Sequence, residues 1–288
     1  MIFLEIHLRV EVYIMKITFI EDKDKIFNDE LIHHLRTYNR SCTGEVEFDQ
    51  NYVYALEDGE LVGALIVVYF WDWVSIKHVF YKNQSVLNAL INKAWENYEG
   101  RAVGIKLITP VIERWRDFLV AGFKPTGAVN LTENYNYYYA NYMPKIKRET
   151  KDYEIIIQSS ENPKYQEVVD KEYTDFNKQN NITGKLDRFH WVALDGKAFV
   201  GGINCEVYEN SLYISHIVVL DEYRHKDIGS KLMEIAEDIG REKGLEICQL
   251  GTCEFQARPF YEKNGYRVIH TRNDNPRGFK SYTMIKNL

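Results

Sequence analysis

A polar loop between a strand-like and a helix-like segment is the part of this sequence best suited to hold a phosphate group. Residues 212–244 begin with β-branched residues, pass through a loop at 224–230 and continue with apolar residues at helical spacing. Leu232, Met233, Ile235, Ala236 and Ile239 share one side of that helix, and Gly244 is placed to end it. Backbone N–H groups at a helix N-terminus can approach phosphate oxygens closely when the loop contains glycine. The pattern therefore predicts an anion-binding loop.

The elements that must position this loop occur twice in the chain. Residues 54–83 align without a gap to residues 192–221 at an offset of 138. Six aligned positions are identical: Ala55/Ala193, Leu56/Leu194, Val62/Val200, Gly63/Gly201, Ile76/Ile214 and His78/His216. The offset later grows to 142 and then 143, so about four residues are missing from the first copy. We interpret the pattern as a duplication rather than a chance likeness.

The repeat predicts two domains with the same fold. We expect a leader, an upstream start or an added strand at 1–14, one domain at 15–146 and a second at 153–288, with a charged linker at 144–152. Each copy has the pattern of a strand, a helix, two or three antiparallel strands, a long helix, a strand, a short helix and a final strand. This order predicts an α/β (α+β) fold in which each domain is a mixed, mostly antiparallel sheet flanked by helices.

Composition and charge limit the classes of function. A chain of 288 residues that is 45% hydrophobic and 27% charged is long enough and apolar enough for two folded domains. The net charge of −6 argues against nucleic acid or an acidic membrane as a partner. Its four cysteines have neither zinc-site spacing nor a disulfide pattern, so we expect no metal and a cytoplasmic location. Charged residues interrupt the apolar start, which is therefore not expected to be a targeting segment.

Two motifs in the second copy resemble the signature of the GNAT superfamily of N-acetyltransferases. Residues 220–230 match the V-x-x-x-[Q/R]-x-x-G-x-[G/A] pattern, with Arg224, Ile228 and Gly229 in register. Residues 255–266 are similar to the later A-x-x-F-Y-x-x-x-G-[F/Y] motif, and the tail through Asp274, Pro276 and Gly278 is similar to one bacterial branch. The resemblance covers nearly all of 153–288 and implies acetyl-CoA as a co-substrate, bound where the signature strand bulges and splays from its neighbour.

The resemblance also implies roles for individual residues. Val218 and Val219 would hold the pantetheine arm of coenzyme A, and the loop residues would hold its pyrophosphate; these are Arg224, His225, Lys226, Asp227, Ile228, Gly229 and Ser230. Tyr261 falls at the tyrosine that protonates the departing sulfur, although it is also suited to packing under the sheet. An amine with a pKa of about 10.4 must lose a proton to attack a thioester. His216 is a candidate base, or a packed histidine, because strand alternation points it away unless the bulge rotates it.

Two positions depart from the family pattern. Asp227 replaces the first glycine of the phosphate loop; it is either an unfavourable charge beside a diphosphate or a helix N-cap, and both interpretations can hold together. Ser215 stands where several relatives carry a carboxylate base. These departures leave open a catalytically weak or inactive protein that binds or senses coenzyme A.

The first copy lacks the features that the chemistry needs. Its loop after Tyr81 is short and has no glycine, and Phe118 replaces Tyr261. We therefore interpret it as a degenerate GNAT-like domain that supports the structure or shapes the acceptor site. Its tyrosines at 135, 137, 138, 139 and 142 form either an aromatic wall for a cation or a last strand, and residues 69–73 are expected to form a dimer or interdomain patch.

The expected activity is acetyl-CoA-dependent N-acetylation of the primary amine of a small molecule, with the chemistry in the C-terminal domain. A polyamine, an amino sugar and an amino acid derivative all remain open as acceptors, because acceptor contacts have no transferable motif. A homodimer is a possible assembly.

Overall fold

Two seven-stranded mixed sheets with helices on their faces make up the protein. The computed structural model describes residues 17–132, 135–142, 150–180, 187–208, 210–273 and 278–288. The predicted leader at 1–14, most of the predicted linker, and Asp274 and Pro276 lie outside these residues. The fold class is the predicted one, a mixed and mostly antiparallel arrangement.

The two halves of the chain contain the same elements in the same order. The first half contributes β1 (Ile17–Glu21), α1 (Asn28–Thr43), β2 (Phe48–Glu57), β3 (Glu60–Phe70), β4 (Trp73–Tyr81), α2 (Gln84–Tyr98), β5 (Gly104–Thr109), α3 (Ile112–Val120), β6 (Lys124–Thr132) and β7 (Tyr135–Tyr142). The second half contributes β8 (Glu154–Gln158), α4 (Pro163–Gln179), β9 (Arg188–Asp195), β10 (Ala198–Tyr208), β11 (Ser211–Val219), α5 (Ile228–Glu242), β12 (Ile247–Cys253), α6 (Arg258–Lys263), β13 (Arg267–Arg272) and β14 (Ser281–Asn287). Each half thus ends in two strands, where the sequence pattern predicted one.

The first strand of each half lies on the sheet built by the other half. The C-terminal sheet has the order β1-β9-β10-β11-β12-β14-β13, and the N-terminal sheet has the order β6-β7-β5-β4-β3-β2-β8. Ile17 of β1 lies opposite Asp195, and Glu154 of β8 lies opposite Leu56. The helices after these strands are exchanged in the same way, since α1 packs on β11 and α4 packs on β4. Both sheets therefore cross the predicted domain boundary, and the exchange is possible because the two copies offer equivalent docking surfaces.

Helix α1 is anchored to the C-terminal sheet before its first turn. The Asp22 backbone N–H donates to the His190 carbonyl at 2.7 Å, and the buried Asp22 carboxylate accepts the N–H groups of Ile26 and Phe27 at 2.9 Å each. Leu31 is 1% exposed and packs in a cluster with Val192, Leu194 and Phe199. This packing fixes α1 over β9, β10 and β11.

Helix α5 covers the opposite face of the C-terminal sheet. Leu232, Met233 and Ala236 are buried in a cluster that also contains Leu212 and Ile214 of β11. The helix ends at Glu242, and Gly244 follows with φ of 70°, which confirms the predicted stop. The two faces of β11 are thus covered by helices from different halves of the chain.

The terminal hairpins join the two sheets. Residues 135–142 form strand β7, so the last-strand interpretation of the tyrosine run is confirmed; the side chain of Tyr135 lies outside the described residues. Tyr139 is buried in a cluster with Ile247 and Ile285 of the second half, and its ring lies 4.5 Å from that of His270. Tyr139 therefore packs at the interdomain contact.

Trp71 lies at the tip of the turn between β3 and β4. It has φ of 54° and its ring is 5.9 Å from that of Phe255 in the second half. Residues 69–73 are thus two strand ends and a turn, and the turn makes an interdomain contact.

Candidate active site

Strand β11 carries the bulge on which the assignment of His216 depends. Against β10, Ile217 lies opposite Ile203 and His216 opposite Asn204, but the next pair is Ile214 with Cys205. Ser215 is therefore the extra residue of a β-bulge, which reverses the facing of the residues that follow it. His216 consequently lies on the α1 face of the sheet with Val218, whereas Ile217 and Val219 pack towards α5.

An opening separates β11 from β12 beyond this bulge. The two strands pair in parallel from Ser211 with Ile247 to Ile214 with Leu250, and the pairing ends there within the described chain. Residues 216–219 keep their partners on β10 but, among the described residues, have no strand partner on the other side. Val218 and Val219 thus lie on a strand edge that can pair with an extended, amide-containing ligand. An open edge is what the predicted contact of these two residues with a pantetheine arm requires.

The loop at 224–230 leads from this strand edge into helix α5. His225 and Asp227 have positive φ values of 60° and 56°, so the backbone turns sharply on both sides of Lys226. Arg224 donates to the Val219 carbonyl at 3.3 Å and forms an ion pair with Asp221 at 2.7 Å. The first N–H groups of α5 have no intrahelical acceptor and face the loop. Residues 224–227 are therefore an exposed turn that leads into the N-terminus of α5, and buried Ile228 anchors the start of the helix.

Asp227 occupies the N-cap position without acting as a cap. Its backbone is left-handed, with φ of 56° and ψ of 9°, and its side chain makes no capping hydrogen bond. A capping aspartate has an extended backbone that aims its carboxylate at the first turn. The N-cap interpretation of the side chain is therefore wrong, and the left-handed conformation explains why glycine suits this position.

Tyr261 lies on α6, next to the first turn of α5. A Cβ atom added at Gly229 would come within 3.1 Å of the Phe260 ring, so the glycine allows α5 to approach α6 closely. Tyr261 is 7% exposed, and burial, with a smaller effect of Tyr213, raises its pKa above the ordinary value. The phenol therefore stays protonated at neutral pH, and its ring packs in the core cluster with Tyr266, as the packing alternative predicted. The structure thus brings Tyr261 and the loop at 224–230 to one end of the C-terminal sheet.

A row of polar side chains crosses the α1 face of the same sheet. The register places His190 on β9 and His216 on β11 on either side of Asn204. The His190 Nδ1 atom is 2.9 Å from Asn204 Oδ1, and Asn204 Nδ2 donates to Asn28 Oδ1 of α1 at 2.9 Å. Burial lowers the pKa of His216; Glu206 opposes this shift, and Arg36 and His190 reinforce it. The row adds His190, Asn204 and Asn28 to the predicted site residues.

Only part of this row had a signal in the sequence. The repeat pairs Asn204 with Ile66 and His190 with Tyr52 at the same offset of 138. A polar residue in one copy, aligned with an apolar or aromatic residue in the other copy, indicates a candidate site residue. Asn28 has no such signal, because its partner is reached only through the exchange of α1 between the sheets.

The end of α1 connects the two sides of the opening. The Tyr38 hydroxyl donates to the Phe255 carbonyl at 2.7 Å, just beyond β12, and the Arg224 guanidinium lies 5.8 Å from the Tyr38 ring centre. Gln256 donates to Asn39 Oδ1 at 2.9 Å. A helix from the first half thus spans from the end of β11 to the end of β12.

The equivalent opening in the N-terminal sheet is closed by side chains. Strands β4 and β5 pair only from Trp73 to Ser75 among the described residues, so they also diverge. The Tyr81 hydroxyl donates to the Asp117 carboxylate at 2.6 Å, and Gln84 donates to the Asp117 carbonyl at 3.1 Å. These bonds join the end of β4 to α3 across the opening. In the second half the aligned residues are Val219 and Phe260, which cannot form such a bond.

His78, the repeat partner of His216, packs against helix α4. Its ring is 4.7 Å from that of Tyr173, and the Arg114 guanidinium lies 3.4 Å from the centre of the Phe176 ring. Burial lowers the pKa of Arg114 to about 10. Aromatic side chains of α4 therefore line the surface that corresponds to the histidine row, where they border a small cavity with Ile66 and Arg114.

The cysteines form no disulfide bond in the described part of the chain: Cys42, Cys205, Cys248 and Cys253 are all reduced. Burial raises the pKa of Cys205 and of Cys248 to about 12. Within the described ranges, no group of three or more His, Cys, Asp or Glu residues is placed to hold a metal ion. Nor does that part of the chain contain a helix with the length and apolar character needed to cross a membrane.

An open strand edge, a loop at a helix N-terminus and a buried tyrosine lie together at one end of the C-terminal sheet. Residues 187–268 match the family model described as an acetyltransferase (GNAT) domain. That range contains both predicted motifs and ends at the start of β13. The match to the GNAT domain family therefore runs from β9 to the start of β13.

Known proteins similar to part of the chain include two acetyltransferases named for their substrates. The chain is 34% identical over 89 residues to blasticidin-S acetyltransferase of Streptomyces morookaense, covering 31% of this chain and 65% of that protein. It is 31% identical over 88 residues to spermidine N(1)-acetyltransferase of Thermoplasma acidophilum, covering 30% and 55%. The chain thus spans less than two thirds of the length of these curated relatives. A crystal structure of an acetyltransferase from Bacillus cereus is 25% identical, with a TM-score of 0.41 and coverage of 46% of this chain and 96% of that one.

Proposed function

We propose that this protein is an acetyl-CoA-dependent N-acetyltransferase of a small primary amine, with its chemistry at the C-terminal sheet. The observation that carries the proposal is the opening between β11 and β12, which leads into the loop at 224–230 within the region matched by the family model. The corresponding opening in the N-terminal sheet is crossed by Tyr81 and Asp117. A single coenzyme A site per chain follows from this difference.

The loop and strand edge would hold the co-substrate by backbone contacts. N–H groups at the start of α5 and the side chains of Arg224 and Lys226 would face the diphosphate, and Ser230 adds a hydroxyl near the helix start. The edge at Val218 and Val219 would pair with the pantetheine amides. Bound acetyl-CoA supplies the acetyl thioester that the amine attacks.

His216 would accept the proton of the amine, and Tyr261 would donate a proton to the leaving sulfur. The amine nitrogen forms a bond to the acetyl carbon while its proton passes to His216, which burial keeps neutral. The bond from the acetyl carbon to sulfur breaks, and the leaving sulfur takes the hydroxyl proton of Tyr261. A proton then returns from His216 to Tyr261 through solvent, so the products are an acetamide and a neutral thiol. The bulge at Ser215 supports this role, because it turns His216 to the α1 face of the sheet.

Release of free thiol from acetyl-CoA across a panel of amines tests the proposal, together with calorimetric titration of coenzyme A. We expect one binding site per chain and amine-dependent release of thiol. Binding without turnover on any amine would instead favour a coenzyme A-binding or sensing protein. The Tyr38→Leu variant serves as a check on the site, since it removes the ring that packs on Arg224 and should weaken coenzyme A binding.

A further inference from the structure

Two ring nitrogens in the histidine row are buried without a partner. Among the described residues, neither His190 Nε2 nor His216 Nδ1 has a hydrogen-bond partner, and both atoms are shielded from solvent. A buried polar atom without a partner costs free energy, so such atoms in a binding site are expected to be satisfied by a ligand or water. Proton transfer from the reacting amine gives His216 a role, but His190 has none in that step.

The hydrogen bonds around His190 fix which of its nitrogens carries the proton. Asn204 donates through Nδ2 to Asn28, so its Oδ1 atom is the one that faces His190 Nδ1. An amide oxygen only accepts, and His190 Nδ1 must therefore be the donor. In the neutral ring this leaves Nε2 with a free lone pair. His190 thus presents a buried hydrogen-bond acceptor.

We propose that His190 Nε2 accepts a hydrogen bond from a second donor group of the amine acceptor. The inference rests on the proposed function and narrows its substrate class to amines that carry another N–H or O–H away from the reacting nitrogen. His190 is then a specificity-determining residue, and Asn204 and Asn28 are positioning residues that hold its tautomer.

The strand order sets which end of the acceptor meets which histidine. His216 lies on β11, whose open edge borders the opening, whereas His190 lies two strands away on β9. Neighbouring strands are about 4.8 Å apart, so the two histidine backbones are separated by about 10 Å across the sheet. The reacting nitrogen belongs near His216, and the second donor group belongs on the β9 side of the site.

The first half of the chain takes part in this recognition. Asn28 lies on α1, and the bond that it accepts joins residues 176 positions apart. The N-terminal sheet has no counterpart, because Ile66 and Tyr52 replace Asn204 and His190 at the repeat offset. The exchange of α1 therefore completes an acceptor site that the GNAT domain at 187–268 does not contain by itself.

Matched acceptors test the proposal directly. We would compare kcat/KM for an amino alcohol and for its O-methyl ether, which has no hydroxyl proton to donate. We expect wild-type protein to prefer the amino alcohol about 5-fold or more, since the ether leaves His190 Nε2 unpartnered. The preference should fall to within about 2-fold in Asn28→Ala, with the KM for acetyl-CoA unchanged. Asn39→Ala is the matched control, because Asn39 lies on the same helix and binds Gln256 outside the row.

A preference that is absent in wild-type protein, or that survives equally in Asn28→Ala and Asn39→Ala, would overturn the inference. Long-range 1H–15N correlation spectra give a second readout that needs no turnover, with the His190→Gln spectrum providing the assignment. We expect His190 to be protonated at Nδ1 in wild-type protein and to lose that preference in Asn28→Ala. Protonation at Nε2 in the neutral wild-type ring would overturn the inference even if amines are acetylated. Failure to acetylate any amine would instead count against the proposed function.

Discussion

Asn28 and Asn204 form a 2.9 Å hydrogen bond between the helix of one half of the chain and the sheet of the other. The bond exists because β1 and α1 dock on the C-terminal sheet while β8 and α4 dock on the N-terminal sheet. Each sheet therefore depends on both halves, and so does the candidate active site.

Cutting the chain between the halves should leave one complex. The experiment introduces a protease site within 144–149, cleaves the purified protein there, and analyses the product by size-exclusion chromatography at decreasing protein concentration. We expect the two fragments to elute together down to nanomolar concentration, because each donates a paired strand and a packed helix to the other. Separation of the fragments under native conditions would contradict the exchange.

Gly202→Ala should loosen the docking of α1. The added Cβ atom would lie 2.9 Å from Leu31 Cδ1 and 3.1 Å from the Trp191 carbonyl oxygen. We expect a loss of about 1–3 kcal/mol in the free energy of unfolding, measured by urea denaturation. Gly251→Ala is the control, since the nearest atom to its new Cβ is the Tyr213 hydroxyl at 3.9 Å. Equal stability of the two variants would show that α1 does not pack closely there.

Much of the fold is readable from the sequence because local patterns determine it. The apolar period of α5, the stop at Gly244 and the strand at 135–142 all follow from local residue types and are confirmed. The exchange is not readable in this way. β1 and β8 have similar sequence patterns, so local residue types do not specify which sheet each strand joins. The choice depends on contacts between residues distant in the sequence, such as the close approach of Leu31 to Gly202.

The residues of the candidate site also differ in how well the sequence predicts their placement. Arg224, Gly229 and Tyr261 occupy positions that motif spacing specifies. The side of the sheet that His216 faces depends on the bulge at Ser215, which strand alternation alone does not place. The backbone of Asp227 was not predictable either, because aspartate is common both as an extended N-cap and in the left-handed region.

Tyr261→Phe should lower turnover while leaving coenzyme A binding nearly unchanged. The variant carries the residue that the first half has at Phe118, and it removes only the hydroxyl. We expect kcat to fall about 10- to 1000-fold, as for loss of a proton donor used mainly in the transition state. Tyr266→Phe, a neighbouring buried tyrosine, is the control for hydroxyl loss in this core. Unchanged kcat, with chemistry rate-limiting, would exclude Tyr261 as the donor.

Asp227→Gly should strengthen coenzyme A binding without a cost in stability. The side chain makes no capping bond, and glycine adopts a φ of 56° without strain, so unfolding should require up to about 1 kcal/mol more free energy. Removing a carboxylate near a diphosphate should improve affinity about 5- to 100-fold, with a smaller gain at high salt. Asp227→Asn separates charge from backbone, since it removes only the charge. Calorimetry at two ionic strengths measures both variants, and no gain in either would show that the carboxylate points away from the diphosphate.

The pH dependence of kcat/KM should report on His216. Burial lowers its pKa, so the ring binds its proton only below about pH 6.5, and the base is lost as pH falls through the lowered pKa. We therefore expect kcat/KM to fall as the pH drops below 6.5, which gives the pH profile an acid limb assigned to His216. His216→Gln should remove this limb and lower the rate, whereas His78→Gln, at the repeat position, should leave the limb in place. A limb that persists in His216→Gln would assign the base to another group or to water.

The most direct test of the central claim is a crystal structure of the protein with coenzyme A. The account predicts one molecule per chain, with its pantetheine arm between β11 and β12 and its diphosphate against residues 224–230. It also predicts no coenzyme A between β4 and β5, where Tyr81 and Asp117 join the two sides of the opening. Coenzyme A bound in the N-terminal sheet, or in both sheets equally, would contradict the account.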